Sequence, residues 1–141
     1  MQAMTIGTLA KKGGVGTGTL RYYERLGLLA PATRSPSGYR FYQREDFKRL
    51  RFIRRSQRLG FSLEEIGVLL KLSQNAGAQA ADVKRLTEEK VADIDQRIKD
   101  LELMKRGLSA LAQSCHGHGP VADCPILAAL NADDEPAVEV L

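Results

Sequence analysis

The chain has 141 residues and a net charge of +4, with 43% hydrophobic and 27% charged residues. This length holds one domain with an extension, and no apolar run is long enough to cross a bilayer. No charged-then-apolar leader precedes Thr5, so we expect a cytoplasmic protein with no membrane partner.

The charge is distributed unevenly along the chain. Residues 1–60 carry 13 Lys and Arg against 3 acidic residues, a balance of +10, whereas residues 61–141 carry 8 against 14, a balance of −6. A basic half of this density is typical of a protein that binds a polyanion, and nucleic acid is the favoured partner.

The first elements follow a helix-turn-helix pattern. Thr5 predicts the N-cap of a short helix that runs to Lys12, and Gly13-Gly14-Val15-Gly16 interrupts it. Thr17 is the predicted N-cap of a second helix over residues 18–26. Two short helices around a glycine-containing turn are typical of a DNA-binding helix-turn-helix.

A wing and two more helices are predicted next. Residues 28–41 contain Pro and Gly and end in the alternating Tyr39-Arg40-Phe41-Tyr42, which indicates a short hairpin. Helical periodicity returns over residues 43–59, and Ser62-Leu63-Glu64-Glu65 predicts a capping box that opens another helix. The helix over 43–59 has one apolar stripe and one basic stripe, the latter consisting of Arg44, Lys48, Arg51, Arg55 and Arg58.

A long helix is predicted from Ala80 to Gln113, after a small-residue linker over residues 73–79. Its apolar positions are spaced alternately four and three residues apart, which predicts a coiled-coil seam. One helix cannot bury such a seam against itself, and the alternative to a partner helix is packing against the protomer's own DNA-binding half. A homodimer is favoured because helix-turn-helix proteins usually read two half-sites. The predicted dimer interface consists of Val91, Ile94, Ile98, Leu101 and Leu108.

Both cysteines and both histidines of the chain lie within residues 115–124. Thiolates select soft metal ions, although two cysteines are also compatible with a disulfide or a redox role. One or two apolar helical turns are expected over 125–130, followed by an acidic tail. The predicted segments are a DNA-binding domain over 1–75, a dimerisation helix over 79–113, a metal-binding loop and short helix over 114–131, and a flexible tail over 132–141.

Catalysis is not expected. The sequence shows no nucleophile–base constellation and no paired acids, and Gly13-Gly14-Val15-Gly16 lacks the Lys-Ser/Thr that follows in a phosphate-binding loop. We therefore interpret the chain as a binding protein and not an enzyme.

Several motifs together resemble the MerR family of metal-responsive transcriptional regulators, and its copper-efflux-regulator-like branch in particular. The resemblance extends from Thr5 to about Leu130. Its most specific pieces are Leu20-Arg21-Tyr22-Tyr23-Glu24, Ser37-Gly38-Tyr39-Arg40-Phe41-Tyr42, Arg51-Phe52-Ile53-Arg54 and Leu59-Gly60-Phe61-Ser62-Leu63-Glu64-Glu65-Ile66.

The resemblance implies an all-α fold with a small β wing: a winged helix-turn-helix, an antiparallel coiled coil between two protomers, and a C-terminal metal-binding loop. It implies a homodimer on a palindrome in double-stranded promoter DNA. Metal binding then distorts the DNA and realigns the promoter for the RNA polymerase holoenzyme, so the switch acts through DNA deformation.

The resemblance also implies a set of DNA-binding residues. Tyr23 is interpreted equally well as a core residue, Arg34 as plain surface, and Tyr39 and Arg40 as phosphate contacts of the wing. Gly18 departs from the pattern because it removes a side chain that could read a base. The implied residues are Thr17, Thr19, Arg21, Tyr22, Tyr23, Arg34, Tyr39 and Arg40.

The implied metal ligands are Cys115 and Cys124. In the metal-sensing branch, a cysteine near the start of the long helix goes with divalent ions, and Ala80 stands there in this chain. Two thiolates suit monovalent Cu(I), Ag(I) or Au(I), whereas Zn(II) takes four ligands. The eight residues between the cysteines resemble mercury-responsive spacing, and His118 is a candidate extra ligand. A sensor of Zn(II), Cd(II) or Hg(II), or a thiol redox regulator, therefore stays open.

Overall fold

The structure, a computed structural model, describes residues 3–133. They fall into two units, one ending at Leu86 and one beginning at Thr87. The described residues confirm the predicted fold class, which is helical with one small antiparallel sheet. The elements are α1 (Ile6–Gly13), α2 (Thr17–Arg25), β1 (Thr33–Arg34), β2 (Arg40–Phe41), α3 (Arg44–Arg58), α4 (Leu63–Gln74), α5 (Ala80–Gln113), a 3₁₀ turn (Val121–Asp123) and α6 (Pro125–Leu130).

The two helices of the helix-turn-helix begin with different caps. The Thr5 hydroxyl accepts from the Thr8 amide at 3.1 Å, as predicted for the first helix. The prediction of Thr17 as the second cap is wrong, because the extended residue Gly16 caps α2 and Thr17 is its first helical residue. The carbonyl of Gly16 already accepts from the amides of Thr19 and Leu20, which defines it as the cap.

The wing is a two-stranded hairpin. Thr33 pairs with Phe41 and Arg34 with Arg40, and the turn between the strands contains Gly38 at φ +89°, a backbone conformation that favours glycine. At its base, the backbone of Tyr42 exchanges two hydrogen bonds of 2.7 Å with Met4, which ties the segment before α1 to the wing.

The core of the first unit consists mainly of aliphatic side chains from α1 to α4. The segments just before β1 and just after β2 add further side chains, including one tyrosine. Helix α1 packs closely on α3, since a Cβ on Gly13 would lie 2.2 Å from Leu50 Cδ2. Each fully buried aliphatic side chain contributes roughly 1.5–3 kcal/mol relative to exposure. The side chains exposed by 1% or less are Leu9, Leu20, Leu29, Tyr42, Leu50, Ile53 and Ile66.

Capping boxes open both α3 and α4. Gln43 and Asp46 form the first, which was not predicted, and Ser62 and Glu65 form the second, which was. Helix α4 ends at Gln74, so it takes up the first two residues of the predicted 73–79 linker.

The second unit contains most of α5 and the loop that follows it. Helix α5 has 34 residues, a length of about 51 Å, and its bounds match the predicted ones. The loop after it leads through the 3₁₀ turn into α6. Within the predicted tail, residues 134–141 lie outside the described residues.

Candidate functional site

The recognition helix α2 has one buried face and one exposed face. Leu20 and Tyr23 are buried, whereas Gly18, Arg21 and Arg25 are exposed. The exposed residues are spaced three and four apart, so they share one side of the helix. The predicted contacts Thr17 and Thr19 are half-buried at the edges of that side, and Tyr22 is 44% exposed.

Tyr23 belongs to the core. Only 2% of its surface is exposed, and its hydroxyl donates to Gln57 Oε1 at 3.1 Å. Of the two roles that the sequence left open for Tyr23, the structure therefore shows packing, with the hydroxyl joining α2 to α3.

Sequence reasoning missed Arg25 on the exposed side of α2. Its guanidinium carbon lies 5.6 Å from the Tyr22 ring centroid, within cation–π range. The signal was available, because Arg25 follows Arg21 by four residues and so shares its face.

The predicted wing residues differ in their exposure and in whether they bind other groups of the chain. Tyr39 is 76% exposed, and Arg34 donates to the carbonyl of Gly38 at 3.2 Å across the turn. Arg40 instead turns inward: its Nη2 lies 2.6 Å from Glu24 Oε2. As a phosphate contact, Arg40 would have to share its guanidinium between DNA and this carboxylate.

Glu24 is a second residue that sequence reasoning missed. Besides Arg40, it accepts a hydrogen bond of 2.5 Å from the Tyr42 hydroxyl, so one carboxylate of α2 holds two residues at the end of the wing. Burial and the bond to Glu24 raise the pKa of Tyr42 to about 12. Tyr42 therefore stays a neutral donor at physiological pH.

The two cysteines lie at the two ends of the loop. Cys115 is the second residue after α5, and Cys124 is the N-cap of α6. Both are free and half-buried. The loop turns at Gly117 and Gly119, which have φ of +80° and +88°, and the Gly117 amide donates to Cys115 Sγ at 3.4 Å.

Hydrogen bonding favours the thiolate form of Cys124. The backbone amide of Leu127, then that of Ile126, and the thiol of Cys115 hold the pKa of the Cys124 thiol below its ordinary value, against the opposing effect of burial. The effect of the Cys115 thiol on this pKa indicates that the loop brings the two cysteine side chains near each other. A thiolate beside a second thiol is a soft ligand pair for a metal ion.

The histidines are exposed beside this pair. The rings of His116 and His118 stack with centroids 6.4 Å apart and an interplanar angle of 18°. Within residues 3–133, no three side chains of the types His, Cys, Asp or Glu are grouped as metal ligands. His118 is thus not gathered with the two sulfurs in this structure.

The predicted dimer seam lies uncovered along α5. The five side chains of this seam are apolar but exposed to solvent in the single protomer, as expected of a surface that a partner helix covers in a dimer. Their exposed fractions are 54% for Val91, 37% for Ile94, 49% for Ile98, 61% for Leu101 and 65% for Leu108.

Comparisons with known proteins identify the architecture. The description "MerR HTH family regulatory protein" matches residues 4–73, and "MerR, DNA binding" matches residues 47–111. The transcriptional regulator CueR of Salmonella typhimurium is 43% identical over 124 residues, which cover 88% of this chain and 89% of CueR.

Two solved structures are also similar. A transcription regulator of Ralstonia metallidurans in complex with lead(II) is 34% identical with a TM-score of 0.78, covering 90% of this chain and 98% of its own. The dual-function regulator MerR of Bacillus megaterium in complex with mercury(II) is 36% identical with a TM-score of 0.68, covering 92% and 100%. In the part of the chain that the structure describes, no helix is long and apolar enough to span a membrane.

Proposed function

Because the chain belongs to the MerR family of transcriptional regulators, we propose that it is a cytoplasmic, metal-responsive activator. It binds a promoter palindrome as a homodimer. A monovalent soft ion, Cu(I), Ag(I) or Au(I), binds Cys115 and Cys124 and causes the dimer to distort the DNA for the RNA polymerase holoenzyme.

The first unit supplies the DNA contacts. Arg21, Tyr22 and Arg25 project from the exposed side of α2, and Tyr39 projects from the wing. A recognition helix reads base edges while wing residues grip phosphates. Glu24 acts as a positioning residue, since it fixes the wing against α2 and so sets the spacing of the two contact elements.

The pairing of two thiols at the loop is the observation that carries the metal assignment. The two cysteines lie at the two ends of one short loop, and the Cys115 thiol is among the groups that lower the pKa of Cys124, which supports a site where both sulfurs bind one ion. Two soft ligands suit a monovalent d¹⁰ ion. Structural Zn(II) is almost always four-coordinate, and a four-ligand set is not gathered among the described residues.

Activation requires that the metal discriminate between two conformations of the dimer. A ligand shifts an equilibrium only by its difference in affinity for the two states. Reversing a 1:99 population requires the ion to bind the activating form on the order of 10⁴-fold more tightly. The loop after α5 can provide this difference in affinity if it closes both sulfurs around the ion only in the activating form.

A divalent ion is the second candidate. The similar regulators solved with lead(II) and mercury(II) favour it, and His118 lies within the same loop. Two free thiols in one short loop are also compatible with a regulatory disulfide, which would make the protein a redox sensor.

Anaerobic titration of the reduced protein distinguishes these candidates. The protein is titrated with Cu(I) and with Zn(II) against competing chelators, and reporter transcription is measured with each metal and with an oxidant. We expect tight binding of one Cu(I) per loop and a reporter response to it. A response to Zn(II) alone would favour the divalent candidate, and a response to oxidant without metal would favour the disulfide.

A further inference from the structure

The loop after α5 carries two imidazoles that the proposed two-sulfur site does not use. His116 and His118 are both exposed, and they are the two histidines of the chain. Imidazole is the commonest metal ligand among side chains, and it binds copper as well as zinc. We call these two side chains the imidazole pair and ask whether they form a metal site of their own.

The separation of the two rings fits one ion in linear coordination. A ring nitrogen lies about 1.15 Å from its ring centroid and about 2.0–2.1 Å from a bound ion, so rings on opposite sides of one ion have centroids about 6.3–6.5 Å apart. Two rings of a tetrahedral site would have centroids about 5.2 Å apart. The observed separation is 6.4 Å, and the ring planes are within 18° of parallel. The imidazole pair is therefore spaced for an ion that takes two ligands.

The imidazole pair offers two ligands and no more. Within residues 3–133, no third side chain of the types His, Cys, Asp or Glu is grouped with them as a metal ligand. Rotation of each ring about its bond to Cβ is broad, and exposed side chains rotate within nanoseconds. Each ring can therefore turn a nitrogen toward an ion held between the two.

The imidazole pair lies beside one of the two sulfurs. The amide of Gly117, the residue between the histidines, donates to Cys115 Sγ at 3.4 Å. Both cysteines are half-buried, whereas both imidazoles are exposed, so an ion that arrives from solvent reaches the imidazoles more easily. Thiolates are softer ligands than imidazoles. A soft ion therefore gains affinity by moving from the imidazoles to the sulfurs.

We propose that the imidazole pair is a capture site for the monovalent soft ion, which binds there from solution and then moves to Cys115 and Cys124. This inference rests on the proposed function. In the transfer, two metal–nitrogen bonds break as two metal–sulfur bonds form, and a thiol that is still protonated releases its proton to water. The oxidation state of the ion does not change, and the imidazoles return to their metal-free form.

The test uses the full-length protein and Ag(I) as the probe, because Ag(I) is not oxidised in air. Cys115→Ser/Cys124→Ser isolates the imidazole pair, and His116→Gln/His118→Gln isolates the sulfurs. Asp123→Asn, at an exposed position of the same loop, is the matched control. Binding at the imidazoles is followed by NMR of the histidine ring nitrogens. The rate of uptake from an ammonia complex of Ag(I) is followed by the ultraviolet absorption of the silver–thiolate bonds.

We expect the variant without cysteines to bind one Ag(I) per protomer with shifts of both ring resonances, and replacement of either histidine in that variant to abolish the binding. In the wild type, the first equivalent of Ag(I) should leave the ring resonances unshifted at equilibrium, because the ion has moved to the sulfurs, and a second equivalent should shift them. The variant without histidines should take up Ag(I) severalfold more slowly and reach the same final affinity. Asp123→Asn should take it up as the wild type does.

Ring shifts that persist at equilibrium after the first equivalent would overturn the proposal, because the histidines would then share one site with the sulfurs. So would the absence of Ag(I) binding in the variant without cysteines, or equal rates of uptake with and without the histidines. Equal slowing in Asp123→Asn would also count against it, as an effect of the loop as a whole. A wild type in which no monovalent ion activates the reporter would refute the proposed function, whereas the ring shifts would still decide whether the imidazole pair captures Ag(I).

Discussion

Replacing Glu24 by alanine should destabilise the first unit by about 2 kcal/mol. The carboxylate accepts from the Tyr42 hydroxyl at 2.5 Å and pairs with Arg40 at 2.6 Å. Tyr42 is fully buried, so its hydroxyl would be left without its acceptor, at a cost of about 1–3 kcal/mol. The Arg40 side chain is 28% exposed, so loss of the ion pair adds only about 0–1 kcal/mol.

Two further substitutions separate the two bonds. Glu24→Gln keeps an oxygen for Tyr42 but loses the charge, and we expect it to cost about 1 kcal/mol or less. Tyr42→Phe removes the donor and leaves Glu24 paired with Arg40, so Glu24→Ala should cost about 1 kcal/mol less in the Tyr42→Phe background than in the wild type.

The assay is urea unfolding followed by far-ultraviolet circular dichroism, because the chain has no Trp and is largely helical. The free energy of unfolding in water is compared at constant slope against urea. The reasoning would be refuted if Glu24→Ala and Glu24→Gln were equally stable, or if the cost of Glu24→Ala did not change in the Tyr42→Phe background.

Three other predictions follow from the same structure. The pKa of Tyr42 is about 12 in the folded protein against an ordinary 10. The free energy of unfolding should therefore keep this contribution below pH 10 and fall by on the order of 2 kcal/mol between pH 10 and 12. Urea unfolding at each pH should show this fall in the wild type and not in Tyr42→Phe. Ile98→Asp places a charge in the proposed seam and should give monomers with operator binding lost; a stable dimer in sedimentation would assign the seam elsewhere. Cys115→Ser and Cys124→Ser should each abolish the metal response in a reporter and leave metal-free operator binding near wild type, and His118→Ala should change little. A large effect of His118→Ala would contradict the two-sulfur site.

Local sequence rules were sufficient for most elements. Thr5 and Ser62 were identified as caps because a hydroxyl just before a helical periodicity can accept from an unpaired amide of the first turn, and the bounds of α5 followed from the absence of Pro between Ala80 and Gln113. The cap of α2 was missed for a physical reason. Thr17 and Gly16 both suit an N-cap, and only the backbone hydrogen bonds from Thr19 and Leu20 identify Gly16.

The family resemblance, the helical periods, the charge division and the two cysteines could all be read along the chain, because each depends on residues close together in it. Which polar groups meet became known only from the packed fold. Tyr23 faces Gln57, 34 positions away, and Glu24 meets Arg40 and Tyr42 at separations of 16 and 18. Such pairings depend on how α2, α3 and the wing pack around a shared core, and no local propensity encodes them.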